Sequence, residues 1–392
     1  RKVLVPEEEL KQFLSGLTDK SMDDHSITMF EEALAEYVGV KHVITVSSGR
    51  LAMSFILKAL KVQPGDEIIV PAYTLGALVN ILRSLELKPV LADIDEKTLT
   101  ISASSISARL TEKTKAIIVL HTFGNPCDMD EIVPLAQNAG IPIVEDCAHS
   151  LGAVIGEKQT GSYGRAGFFS FETTKPVNTF GGGAVTTNDD DLAKQVRKLA
   201  LQTDSDGFAA VLAKTKAIER ERMLFRTGLA YIPLSLLTMQ TTRAFVETAY
   251  RFFQPPPPKS IPYLPQQAKL GLSSLKSLEK RIEHRSLLAN LYREHLPNEI
   301  SSQLIKENRK TTWYFFLALL NKPAFPIRRR LLWHSIDCAV EKEIADDCTA
   351  MVSGYDCPVT KDLYRRAIVL PMYDDLTEQE VMEVSQALKE VL

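Results

Sequence analysis

The sequence lacks any uninterrupted apolar run of roughly twenty residues, so no segment is expected to span a bilayer as a helix. It also lacks an excess of either charge. The 46 basic and 49 acidic residues leave a formal net charge of −3, which gives no electrostatic case for nucleic acid as a partner. Cysteine is scarce: the five, at 127, 147, 338, 348 and 357, are odd in number, scattered and without metal-ligand spacing. They suit reduced thiols in a cytoplasmic compartment better than a disulfide framework or a zinc site, and no metal is expected. The first residues, RKVLVPEEELKQFL, are charged and hold no signal-peptide core. What remains is the makeup of a globular protein: 392 residues, 45% apolar and 24% charged, enough for one large and one smaller domain or two equal ones.

The chain is organised around residues 141–188. A buried strand at 141–144 leads to an acid, Asp146, and a second apolar strand at 166–171 runs into Thr173, Thr174 and Lys175. Gly181, Gly182 and Gly183 form a turn before a third strand at 184–187. A carboxylate at one strand end, hydroxyls and a lysine at the next, and a glycine turn suit an aromatic, phosphorylated aldehyde. The acid would keep a pyridine nitrogen protonated, and the lysine amine would form a Schiff base with the aldehyde. Ser170, with its neighbouring hydroxyls, would hold the phosphate. Lys175 is accordingly read as the Schiff-base lysine of a pyridoxal phosphate (PLP) enzyme. A lone lysine after a strand is ordinarily a surface residue, so the reading rests on the set.

Strand–helix alternation runs from 42 to 188. A strand at 42–46 leads through Ser47-Ser48-Gly49-Arg50 into an apolar helix at 51–60, which is either an anion site or a plain βα turn. Further buried strands are predicted at 68–70, 88–93 and 116–120, and Pro71-Ala72-Tyr73-Thr74 is predicted to open a helix. Strands apolar on both faces argue for a parallel or mixed sheet covered by helices. Ligands of such sheets collect at the carboxyl ends of the strands. Ser47, Tyr73, His121, Asp146 and Ser170 all fall at or just after a predicted strand end, which points to one site.

Four blocks stand in a specific order: Glu145-Asp146-Cys147-Ala148-His149, Gly161-Ser162, Ser170-Phe171 to Lys175, and Phe180-Gly181-Gly182-Gly183. In these blocks the chain resembles the DegT–StrS (DnrJ) family of PLP-dependent sugar aminotransferases, over about 1–200 and 262–392. The resemblance implies an α/β fold of the fold-type-I PLP-dependent transferases. Such a fold has a large domain with a mostly parallel sheet covered by helices, plus a small C-terminal α+β domain. It implies that Ser48, Gly49 and Arg50 meet the cofactor phosphate. The family has threonine after that glycine, so Arg50 either pairs with the phosphate or points to solvent. His149 would contact the cofactor's phenolic oxygen or pack over its ring. In the family pattern P-x-F-T-F the second aromatic stacks on the ring. Leu75 takes that place and Tyr73 matches the first aromatic, so either Leu75 forms an apolar lid or Tyr73 substitutes. A related branch of sugar dehydratases has histidine where this chain has Lys175.

Residues 204–260 depart from the family, which runs a short loop here with a G-x-N-x-R motif. Its Asn reaches the partner subunit's cofactor phosphate. Counted back from Ala268-Lys269-Leu270-Gly271-Leu272, Ser260 and Pro262 stand where the Asn and Arg would. In place of the loop come basic residues (Lys214, Lys216, Arg220, Arg222, Arg226), an apolar stretch at 228–237 and a helix with Phe245, Tyr250, Phe252 and Phe253. Prolines at 255–258 make a stiff spacer. This composition fits an interfacial membrane helix, or a helical subdomain packed on its own protein or a dimer mate. Pro233 argues against one continuous helix. Farther on, 268–293 reads as one long helix, 312–320 as a strand, 327–335 as a helix, 368–370 as a strand and 378–392 as a final helix. The family's glycine and aromatic–histidine pattern is missing there, so no substrate residue is assigned.

Three parts are expected: an N-terminal arm and large PLP-binding domain at 1–203, a helical insert at 204–260 facing a membrane or a partner, and a linker helix with a small C-terminal domain at 261–392. By resemblance, the function is transfer of an amino group from glutamate to a nucleotide-linked keto-sugar, as in polysaccharide or lipopolysaccharide biosynthesis. Lys175 is the catalytic residue. The enzyme would be a cytoplasmic homodimer, peripheral at the inner face of the membrane if 214–253 touches lipid. Two other readings stay open. One is the same chemistry on a lipidic or membrane-associated ketone or aldehyde; the other is a non-catalytic PLP-fold binding or regulatory protein.

Overall fold

The computed structural model describes residues 7–20, 24–203, 207–226, 235–236 and 260–392. Seven strands form the central sheet: β1 (His42–Val46), β2 (Glu67–Pro71), β3 (Lys88–Ala92), β4 (Thr114–Leu120), β5 (Ile143–Asp146), β6 (Ala166–Ser170) and β7 (Gly183–Thr187). Their order is β1-β7-β6-β5-β4-β2-β3. β7 is antiparallel to both neighbours and every other pairing is parallel, so all strands but β7 point the same way. The mostly parallel sheet is as the sequence implies, and it gathers the ends of β1, β2, β4, β5 and β6 on one edge.

Both faces of the sheet are covered because alternate side chains point opposite ways. Ile68, Val70 and Ile118 pack with Met53, Phe55 and Ile56 of the helix Gly49–Ala59, whereas Ile69, Ile117 and Val119 pack with Met129, Ile132 and Ala136 of the helix Met129–Ala139. Burial on both faces is what forces these strands to be continuously apolar. A four-stranded antiparallel sheet, built from Ser301–Ser302, Phe316–Leu319, Ala339–Val340 and Ala367–Leu370, follows in the C-terminal part. The helices Leu278–His295, Ala324–Trp333 and Glu378–Val391 complete its core through Leu288, Tyr292, Leu331, Val384 and Leu388. The strand Asp346–Asp347 returns to the central part, pairing with Tyr73–Thr74. All five cysteines are unpaired and buried.

Two expectations need correction. The long helix read over 268–293 is two helices, Pro265–Lys276 and Leu278–His295, with Ser277 between them at φ −97° and ψ −2°. The Ser274 carbonyl, which an unbroken helix would pair with residue 278, instead accepts the Ser277 hydroxyl at 3.2 Å and the Arg281 guanidinium at 2.8 Å. Residues 71–74 do not open a helix either. Tyr73–Thr74 is a short strand and the helix begins at Gly76, because the edge of Tyr73–Thr74 is taken up by the C-terminal strand. Of the insert, the helix Phe208–Arg226 is described and packs through Phe208, Val211 and Thr215. The expected apolar stretch (apart from Ser235 and Leu236) and the aromatic helix lie outside the described residues. Among the described residues, no helix is long and apolar enough to cross a membrane.

The glycine turn before β7 tolerates no side chain. Gly182 has φ +98°, and a Cβ there would lie 2.3 Å from Cε2 of Tyr263. On Gly183 a Cβ would lie 2.6 Å from the Gly49 nitrogen, so the turn and the β1–helix junction touch backbone to backbone. Gly182→Ala combines left-handed strain with overpacking and is expected to cost about 2–4 kcal/mol in chemical denaturation. Gly140→Ala, at φ +67° with open space around it, carries the backbone strain alone and is expected to cost about 1 kcal/mol.

Candidate active site

Residues from the carboxyl edge of the sheet enclose a cavity of about 260 Å³. Its lining includes Ser48, Gly49, Arg50, Tyr73, Leu75, Asp146, His149, Ser170 and Lys175, all expected at the site from the sequence. Each arrives for a local reason. Ser48 caps the helix Gly49–Ala59, its hydroxyl accepting the Leu51 N–H at 3.2 Å, and thereby turns the helix N-terminus toward the cavity. Asp146 is the last residue of β5, and Ser170 the last of β6. Lys175 follows a turn closed by its own N–H to the Glu172 carbonyl at 2.9 Å. Arg50 is exposed while still lining the cavity, and Leu75 is 45% exposed at its rim. Tyr73, by contrast, is fully buried and meets Phe123 edge-on at 6.2 Å.

Ser47 and His121, the other strand-end residues, do not line the cavity but support it. The Ser47 carbonyl accepts the Gly182 N–H at 3.0 Å. His121 is wholly buried; its Nδ1 accepts the Cys127 N–H at 3.0 Å, which leaves the proton on Nε2 to donate to Glu145 at 3.1 Å. The Glu145 carboxylate also accepts the N–H groups of Gly161, Tyr163 and Gly164 at 2.7–2.8 Å. The E-D pair therefore divides its work: Glu145 ties down the 161–164 loop and Asp146 faces the cavity. His121, Glu145 and Cys147 bring potential metal-ligand atoms within 4.8 Å of one another, but the His121 and Glu145 atoms are already engaged in these hydrogen bonds.

Sequence reasoning missed other wall residues. Phe123 lies just after β4 in left-handed backbone, φ 57°, with nothing local to mark it. Ile344 and Ala345 come from the C-terminal part and reach the wall because Asp346 accepts the Gly76 N–H at 2.7 Å. Glu172 lines the cavity beside Lys175, and both its oxygens lie 2.6 Å from Nζ of Lys214 on the insert helix. Tyr314 stacks on His149 with ring centroids 4.3 Å apart. Distance in sequence hid Ile344, Ala345 and Tyr314.

Several buried polar atoms on this wall have no hydrogen-bond partner among the described residues: Tyr73 Oη, Thr74 Oγ1 and His149 Nδ1. Buried polar groups are ordinarily paired, so the arrangement calls for a polar ligand. Burial holds the His149 imidazole well below its usual pKa, with the Lys175 charge adding to the effect. It stands as a neutral ring able to donate to, or accept from, a ligand oxygen. Burial likewise pushes the Asp146 carboxyl up to about 6, although the Ala148 N–H and the Lys175 charge pull it back. A pyridinium would give that carboxylate its missing counter-charge, a helix N-terminus with hydroxyls suits a phosphate, and an amine suits an aldehyde. The residues fit pyridoxal phosphate.

A folded-state pKa above the unfolded value means that Asp146 favours folding when protonated and loses that contribution as pH rises from about 4 through 6. The cofactor-free protein at pH 8 should therefore carry a penalty of up to about 3 kcal/mol at this one residue. Asp146→Asn is expected to raise the melting temperature of cofactor-free protein at pH 8, to match wild type near pH 4, and to weaken PLP binding. A melting difference that does not change with pH would contradict this.

The model of the DegT/DnrJ/EryC1/StrS aminotransferase family matches residues 7–216 and 265–389, leaving out most of the insert. The spore coat polysaccharide biosynthesis protein SpsC of Bacillus subtilis is 27% identical over 99% of this chain and 95% of its own length. The GDP-perosamine synthase of Escherichia coli O157:H7 is 28% identical over 97% and 94%. In fold, the chain is similar to an aminotransferase from Psychrobacter cryohalolentis, with a TM-score of 0.79 over 99% of this chain and 97% of that one at 23% identity. The chain belongs to the DegT/DnrJ/EryC1/StrS aminotransferase family, whose enzymes depend on pyridoxal phosphate.

Proposed function

We propose that the enzyme moves an amino group from glutamate to a keto-sugar carried on a nucleotide, as a homodimer. The observation that carries the reaction class is the meeting of Lys175 and the buried Asp146 in one cavity closed by the helix N-terminus at Ser48–Gly49. When bound, the cofactor supplies an aldehyde that exchanges amino groups and a ring that takes up the substrate carbon's electrons. The chain's own residues do the rest. Lys175 anchors the cofactor through its amine and, once released, carries the proton to and from the substrate carbon as general base and acid. Asp146 holds a proton on the ring nitrogen. Ser48, Gly49, Arg50 and Ser170 would receive the phosphate, and the neutral His149 would hydrogen-bond the cofactor's phenolic oxygen. Phe123, Leu75, Ile344 and Ala345 are apolar walls that exclude water.

The nucleotide-linked sugar is supported by the relative named GDP-perosamine synthase and, for polysaccharide assembly, by the relative named SpsC. Glutamate as donor rests on the family resemblance. In this reading the nucleotide would lie outside the rim, past Leu75 and Arg50.

The test is incubation of purified enzyme, PLP and glutamate with a panel of GDP-, TDP- and UDP-linked keto-sugars, followed by mass spectrometry. Wild type is expected to convert at least one ketone to the amine with release of 2-oxoglutarate, and Lys175→Ala to convert none. Amination of a lipidic ketone but of no nucleotide sugar would overturn the acceptor assignment while leaving the reaction class.

A further inference from the structure

Among the described residues, the hydrogen-bond partner of the Lys175 amine is Tyr314. Nζ lies 3.4 Å from the Tyr314 hydroxyl and 4.6 Å from the centre of its ring. An ammonium can only donate, so the phenolic oxygen accepts from it, and the phenolic hydrogen is left for Thr174 Oγ1 at 2.9 Å. The ring is fixed as well as the hydroxyl. It lies flat on His149, 10° from parallel, and is 5% exposed.

The backbone around Tyr314 is built to hold it there. Trp313 sits in left-handed backbone at φ 48°, an unusual conformation for a bulky residue that its surroundings must impose. The Tyr314 N–H donates to the Phe123 carbonyl at 3.1 Å, and Phe123 is itself left-handed. On the preceding residues, the Thr312 hydroxyl donates to the His149 carbonyl at 2.7 Å and the Thr311 hydroxyl to the Gly124 carbonyl at 2.8 Å. Arg285, paired with Asp374, donates to the Trp313 carbonyl at 3.3 Å. A segment remote in sequence is thus clipped at several points to the cavity wall, and what it delivers to the lysine is one phenol.

We propose that Tyr314 is a positioning residue for Lys175: its hydroxyl and ring face hold the amine whenever that amine is not bonded to the cofactor. The proposal rests on Lys175 being the cofactor lysine. A lysine that must leave the cofactor, move a proton and return has a long, flexible side chain. Without a dock its amine would spend little time aimed at the reacting carbon. Tyr314 supplies the dock from the C-terminal part, so the aim of the lysine depends on that part being seated.

The experiment has two readouts on wild type, Tyr314→Phe and Thr174→Val. The first is competitive acetylation of cofactor-free protein with acetic anhydride near pH 8, followed by peptide mass spectrometry. Loss of the acceptor hydroxyl should leave the amine undocked and open to the reagent, raising labelling of Lys175 about three-fold in Tyr314→Phe while the exposed Lys41 is unchanged. The second is the first-order rate of the glutamate half-reaction in PLP-loaded protein. It should fall about ten-fold in Tyr314→Phe, with half-saturation by glutamate changed less than about two-fold. Thr174→Val should move both readouts the same way by less, and it decides the matter if Tyr314→Phe fails to fold. Unchanged labelling, an unchanged half-reaction rate, or loss of PLP binding in the folded Tyr314→Phe protein would each overturn the proposal. A wild-type protein that never binds PLP would instead refute the reading of Lys175, whatever the labelling shows.

Discussion

The site depends on one costly placement: a carboxylate, Asp146, buried at the end of a central strand with a hydrogen bond from the Ala148 N–H and, among the described residues, no salt-bridge partner. A sheet sealed on both faces by helices offers water only at its strand ends, and Asp146 sits there in the cavity wall. Burial drives its pKa upward, so without a ligand it destabilises the fold at neutral pH. A positively charged ring nitrogen removes that cost. The cavity is therefore unfavourable by itself and favourable around its cofactor, as a preorganised electrostatic site should be.

The remaining contacts keep that placement rigid. Glu145 spends its carboxylate on the 161–164 loop and His121, which fixes the strand end next to Asp146. The glycine turn lets β7 approach the Ser48–Gly49 corner backbone to backbone, so the helix N-terminus and Ser170 face the same space. The C-terminal part closes the remaining side with Ile344, Ala345 and the Tyr314 segment. Lys214, near the end of the family-matched stretch, ties the helix Phe208–Arg226 to Glu172 at the cavity wall.

The sequence made the centre legible and the periphery obscure, for physical reasons. Asp146, Ser170 and Lys175 were readable because a βα fold places chemistry at strand ends, and strands are marked by continuous apolar residues. Leu75 and Arg50 were legible as positions but not as contacts, since a family pattern names a place and not an orientation. The structure leaves Arg50 exposed and buries Tyr73 fully. Phe123, Tyr314 and Ile344 were invisible because only tertiary packing brings them in. The break at Ser277 was missed because its apolar spacing continues through a helix that one arginine, Arg281, interrupts by taking the Ser274 carbonyl.

The central claim is that Lys175 and Asp146 hold and activate pyridoxal phosphate for amino transfer. The most direct measurement is the visible absorbance of PLP-loaded protein before and after addition of glutamate alone. The account predicts a yellow band that gives way to a shorter-wavelength form as the amino group passes to the cofactor, and no such band in Lys175→Ala. A wild-type protein that stays colourless with PLP, or whose band glutamate leaves unchanged, would contradict it.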